Sequence, residues 1–106
     1  MHDLKQMLDE RERGERDFML IDVREPVEWE IATIDGAVLI PKGEFLDGSA
    51  LEKLPHDKPI VLHCKVGGRS AEVLAVLHGA GFADAVHVGG GINAWSLQVD
   101  PSTPYY

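Results

Sequence analysis

Four short, uninterrupted apolar runs, separated by helical patterns, constrain this chain more than any other feature. Phe18-Met19-Leu20-Ile21, Ala37 to Ile40, Ile60 to Leu62 and Ala85 to Val88 each read as strands. A run that is apolar at every position, not at every second one, marks a strand buried on both faces. Leu4, Met7 and Leu8 fall at i, i+3, i+4 and predict an amphipathic helix from about Asp3 to Arg13, ended by Gly14. Glu25 to Ile31 and Leu51 to Leu54 predict short helices, and Ser70 to Gly79 a longer one closed by Gly79 and Gly81. Ile92, Trp95 and Val99 place a last helix after the Gly89-Gly90-Gly91 turn. Alternation of this kind means parallel pairing, with helices on both faces of one sheet. The expected architecture is a single α/β domain.

The 106 residues suit one core, and no repeat or Pro/Gly-rich linker divides them. The segment 100–106 carries two prolines and reads as an extended or loosely packed tail. No apolar run approaches the ~20 residues that span a bilayer, and the charged first 17 residues lack a signal peptide's apolar stretch. A cytoplasmic chain without a membrane partner is expected. The net charge of -8 argues against a nucleic-acid partner, since phosphates are met by cationic side chains. Ten of the 18 acids fall in the first 30 residues, which reads as a solvated helix face. One cysteine excludes an intramolecular disulfide framework. It leaves either a buried structural thiol or a reactive one.

The segment IVLHCKVGGRSAEVLAVL, Ile60 to Leu77, carries the chemistry. A buried strand delivers Cys64 to the carboxyl edge of the sheet, where open α/β folds bind ligands. Lys65, Val66, Gly67, Gly68 and Arg69 then lead to Ser70, a suitable N-cap for the helix that follows. Paired glycines let the backbone turn its N–H groups into the loop's centre, and the helix N-terminus adds its own. A free thiol titrates near 8.5, so about 3% is thiolate at neutral pH. A drop of ~2 units would make most of it thiolate. Cysteine phosphatases and arsenate reductases place five residues between Cys and Arg, enough to ring a tetrahedral oxyanion. Four stand between Cys64 and Arg69. The tighter ring favours one sulfur atom carried on the cysteine.

Asp22 and Arg24 fall where the strand through Ile21 should end. His63 precedes the cysteine, but adjacent strand residues point to opposite faces, so a packed or partly exposed strand histidine is expected. His2, His56, His63, His78 and His87 form no ligand pattern with Cys64, and no metal is expected. Trp29 and Trp95 read as core or rim anchors. Gly89-Gly90-Gly91 lacks nucleotide-loop spacing and reads as a close turn beside the cysteine loop, where side chains would collide.

Four segments in order resemble the rhodanese (sulfurtransferase) family: LIDVREPVEW (20–29), IDGAVLIP (34–41), HCKVGGRSAEVLAVLHGAGF (63–82) and VHVGGGINAW (86–95). The Glu-Pro-Val-Glu-Trp run, Ile40-Pro41-Lys42 and the tyrosine-ended tail are similar to the C-terminal rhodanese domain of molybdopterin-synthase adenylyltransferase/sulfurtransferase proteins. That resemblance implies a central parallel sheet of four to five strands. The family's short first strand has almost no room before the first helix here, as in a domain excised from a longer protein. It also implies a sulfurtransferase without a cofactor, in which Cys64 carries a persulfide and the amides of residues 65–70 hold its charge. Lys65 and Arg69 would attract a small anionic sulfur donor such as thiosulfate, and Asp22 and Arg24 would support neighbouring loops. A ubiquitin-like sulfur carrier and an upstream adenylating domain are the implied partners, and molybdenum cofactor biosynthesis the implied setting. Three alternatives stay open: a non-catalytic interaction module, a cysteine phosphatase or arsenate reductase, and a redox-sensing thiol, which would lack a resolving partner.

Overall fold

A computed structural model describes residues 2–105. The chain runs α1 (His2–Glu12), β1 (Met19–Asp22), α2 (Pro26–Ile31), β2 (Ala37–Leu39), α3 (Lys42–Leu46), a 3-10 turn (Leu51–Lys53), β3 (Ile60–His63), α4 (Gly68–Gly79), β4 (Val86–His87) and α5 (Gly91–Gln98). The strands lie in the order β2-β1-β3-β4, and every neighbouring pair is parallel. Among the described residues no strand precedes α1, so the sheet has four strands, with β2 and β4 at its edges.

Two apolar layers sandwich this sheet. On one face Phe45 of α3 and Val73 and Leu77 of α4 pack on Ile21, Ile60 and Leu62. On the other, Leu4 of α1 and Ile92 and Trp95 of α5 pack on Leu20 and Val61. The period-2 geometry of a strand explains the division: Leu20 and Val61 face one layer, Ile21 and Leu62 the other. Trp95 is therefore the expected core anchor.

Burial on both faces holds for β1 and β3 but not for all four runs. Val38 in β2 and Val86 in β4 are nearly half exposed. An apolar run reports β-propensity as well as burial, and an edge strand needs only the former. The five-residue helix α3 is too short to show a period and had no reading in the sequence. The tail is exposed at most of its described positions but pinned at one. Thr103 is buried, and its carbonyl accepts the Ser96 hydroxyl of α5 at 2.5 Å. The Asp100 carboxylate accepts the Ser102 amide at 3.1 Å. Tyr106 lies outside the described residues.

The sheet order fixes where a site can form. From β1 the chain crosses outward to β2, and from β3 it crosses the opposite way to β4. The carboxyl ends of β1 and β3 thus flank the point where the winding reverses, which leaves a crevice between diverging loops. Cys64 is the first residue past β3.

Candidate active site

The backbone turns around the sulfur of Cys64. The Gly67 amide donates to it at 3.1 Å and the Ser70 amide at 3.4 Å, while the thiol lies 3.6 Å from the Ser70 hydroxyl. Gly67 sits at φ +117°, a left-handed conformation that a side chain would strain, and it caps α4. The helix begins at Gly68, two residues before the sequence suggests. Ser70 is therefore not the N-cap but the third helical residue. Its amide is one of those a helix leaves free in its first turn, and it points at the sulfur.

Burial pushes the Cys64 thiol up. The Ser70 amide and hydroxyl and the amides of Gly67 and Val66 pull it down, and they win, leaving the thiol below its ordinary range. The residue is only 1% exposed, so both sequence alternatives, a buried thiol and an activated one, describe the same atom.

The carbonyls of Cys64, Lys65 and Val66 are taken by α5 and its N-cap residue Gly90. Ile92 donates its amide to the Cys64 carbonyl at 2.9 Å, Asn93 to that of Lys65 at 3.1 Å, and Gly90 to that of Val66 at 3.2 Å. With these carbonyls drawn toward α5, the loop presents its N–H groups to the sulfur. The expected collision at the glycine turn is real. A Cβ on Gly91 would stand 2.2 Å from the Cys64 oxygen and 2.5 Å from that of Lys65.

Arg69 meets an acidic partner from a distant helix. Its guanidinium holds the Glu28 carboxylate through both nitrogens, one contact at 2.9 Å and a shorter one between Nη1 and Oε1. Glu28 lies on α2, where its carboxylate also accepts the Glu25 amide at 3.0 Å and so caps that helix. Lys65 is half-buried, and Val66 at the loop's tip is exposed.

Asp22 and Arg24 form a fully buried pair. The Asp22 carboxylate accepts the Arg24 amide and guanidinium at 2.6 to 3.0 Å. The guanidinium also donates to the Ala32 carbonyl at 2.6 Å and to that of Glu28 at 3.4 Å. These bonds tie the end of β1 to the far end of α2, the helix that carries Arg69's partner. His63 is fully buried and packed, with Nε2 3.9 Å from Asp22. Burial holds its imidazole below the ordinary range, against the pull of Asp22 and the Cys64 carbonyl.

Two residues at the site had no role in the sequence reading. Glu28 was hidden because its contact with Arg69 spans 41 positions. His87 lies with Nδ1 3.0 Å from the Ser70 hydroxyl. Its signal was available: it closes a strand at the carboxyl edge, where the fold gathers its sites. Among the described residues no three His, Cys, Asp or Glu side chains group as a metal site. No helix there is long and apolar enough to cross a membrane.

A parallel α/β sheet whose switch point presents one cysteine inside a collar of amides defines a class of single-cysteine loop domains. Comparison with known proteins narrows the class: the model of the rhodanese-like domain matches residues 1–98, and the chain belongs to that family. It is 56% identical over 91 residues to the probable adenylyltransferase/sulfurtransferase MoeZ of Mycobacterium tuberculosis, covering 86% of this chain and 23% of that protein. The chain thus spans about a quarter of that relative's length. A sulfurtransferase of Allochromatium vinosum is 30% identical over 89 residues, 84% of this chain and 81% of that one. A rhodanese-like domain protein of Staphylococcus aureus superposes with a TM-score of 0.76 at 31% identity, over 97% of this chain and 91% of its own.

Proposed function

We propose that residues 1–106 act as one sulfurtransferase unit, with Cys64 as the nucleophile. The observation that carries this reading is the pair of amides, from Gly67 and Ser70, turned onto the Cys64 sulfur. Donors aimed at a sulfur stabilise its anion, and the thiolate is the form that attacks. Cys64 thiolate attacks the outer sulfur of thiosulfate, the S–S bond of the donor breaks, and sulfite leaves with its electron pair. The product is a Cys64 persulfide whose terminal sulfur carries the charge. An acceptor nucleophile then attacks that sulfur and Cys64 departs as thiolate, which closes a two-step cycle. Cyanide is the assay acceptor, with thiocyanate as the product. Lys65 draws the anionic donor, while Arg69, held by Glu28, positions the loop. Asp22 and Arg24 support α2.

The likeness to a protein named adenylyltransferase/sulfurtransferase extends the reading to a natural acceptor. We assign that role to a ubiquitin-like carrier protein activated by an adenylating domain, in the setting of molybdenum cofactor biosynthesis. A lone thiol kept reduced suits the cytoplasm.

A second reading has its own support. Cys64 is 1% exposed, as in a module that binds partners without chemistry. Intact mass after incubation with thiosulfate separates the two. Gain of one sulfur atom, its release as thiocyanate on adding cyanide, and loss of both in Cys64→Ser support the transferase. No sulfur uptake by the wild-type protein leaves the binding module. Phosphate release from an aryl phosphate without sulfur uptake would instead favour a phosphatase.

A further inference from the structure

Ser70 has more neighbours than its hydroxyl has protons. A hydroxyl carries one proton and two acceptor sites. Around Oγ lie His87 Nδ1 at 3.0 Å, the Gly67 carbonyl at 3.1 Å and the Cys64 sulfur at 3.6 Å. The Gly67 carbonyl already accepts the Ala71 amide at 3.0 Å. While Cys64 is a thiol, its S–H donates to Oγ, and the serine proton serves Gly67 or His87. Ionisation removes the S–H. The sulfur then only accepts, and a charged acceptor takes the serine proton in preference to a carbonyl that is already bonded. A bare Nδ1 at 3.0 Å would now face Oγ lone pair to lone pair. A proton on Nδ1 turns that repulsion into a hydrogen bond.

We infer that His87 is a positioning residue: it donates from Nδ1 to the Ser70 hydroxyl, which in turn points its proton at the ionised sulfur of Cys64. This rests on the reading of Cys64 as the reacting sulfur and adds a residue from β4 to its machinery. The neutral Nδ1–H tautomer suffices, so His87 need not be charged.

The surroundings of His87 fit this task. On β3 its register partner is Leu62, which offers only backbone. On α4 it meets Ser70. On the side of α1 it lines a groove with Leu4, Met7 and Asp3, and Asp3 is the one other titratable side chain there. The ring itself is half-buried, so water reaches it and its tautomers can exchange.

The test is the rate of Cys64 alkylation by iodoacetamide as a function of pH, which reads the thiolate directly and needs no sulfur donor. For His87→Leu the midpoint rises, and below it the rate falls roughly threefold to tenfold, whereas above it the rate rejoins wild type. His87→Asn, whose amide nitrogen stands near the place of Nδ1, restores the wild-type midpoint. In a Ser70→Ala background, His87→Leu adds nothing further. An unchanged midpoint in His87→Leu overturns the inference, as does an equal shift in the Leu and Asn variants, which would mark a packing role. Should the leucine variant not fold, the wild-type protein still decides by proton–nitrogen NMR of the His87 ring. A proton on Nδ1 above the thiol midpoint supports the inference, and a bare Nδ1 there overturns it. Failure of the wild-type protein to take up sulfur would sink the transferase reading without touching these titrations.

Discussion

At the scale of single residues, two charges decide how the site behaves: that of the Cys64 sulfur and that of the Arg69 guanidinium. The folded thiol titrates below its ordinary value, so between the folded and unfolded midpoints the unfolded chain binds more protons. Stability must therefore rise with pH through that window, reach its full value above the unfolded midpoint, and be lost as pH falls through the folded midpoint. Urea unfolding of wild type and Cys64→Ser across pH 6 to 10 should show a difference that grows toward alkaline pH in favour of wild type; parallel curves would refute an anion-stabilising collar. Arg69 is neutralised by Glu28, whose side chain is 15% exposed. Glu28→Gln keeps an oxygen for the Glu25 amide but releases the guanidinium's charge to the loop. We expect a lower thiosulfate KM and about 1 kcal/mol less stability, near the value of a good ion pair. A KM that stays put would mean that donor attraction belongs to Lys65 alone.

At the scale of elements, the junction between α5 and the cysteine loop is the part that cannot be altered. The amides of α5 and its N-cap hold the carbonyls of Cys64, Lys65 and Val66, and Gly91 makes room for that approach. Gly91→Ala places a methyl against two backbone oxygens at φ +56°, where the loop must move. The expected cost is about 2 kcal/mol or more, with slower Cys64 alkylation because the collar opens. Gly43 in α3 is the contrasting case, with open space where a Cβ would stand. Gly43→Ala should stabilise by about 0.5–1 kcal/mol through helix propensity, leaving alkylation unchanged. Thermal melts and alkylation rates of the two variants test both statements. Equal melting temperatures would show that the junction is looser than its distances imply.

At the scale of the whole molecule, the buried centre of the sheet sets the acid limit. His63 on β3 stands in register with Asp22 on β1, both fully buried, and burial holds the imidazole below its ordinary 6.5. Below pH 6.5 the unfolded chain takes up a proton that the folded chain refuses. Stability then falls with pH, by up to about 1.4 kcal/mol per unit, until the folded midpoint is reached. Denaturant melts between pH 7.5 and 5 should show that slope in wild type and a flatter one in His63→Gln. The strand runs and their alternation with helices were legible in the sequence, because periodicity and apolar continuity are local properties. So was the cysteine loop, since Gly67, Gly68 and Ser70 are neighbours of Cys64 in the chain. The exposure of β2 and β4 was not, because whether an apolar strand is an edge depends on what pairs beside it.

The sequence by itself determined that a parallel α/β sheet would present Cys64 at its carboxyl edge in a turn lined with amides. Spacing along a chain dictates local backbone form, and local form aims the nearest N–H groups. Only the tertiary structure decided which distant groups close the site. Glu28 takes the charge of Arg69, α5 and its N-cap take the carbonyls of Cys64, Lys65 and Val66, and His87 reaches Ser70. These contacts join segments 17 to 41 positions apart for the side-chain pairs. They arise because the crossovers from β1 and β3 bring those segments to one edge, a consequence of packing that no single segment encodes.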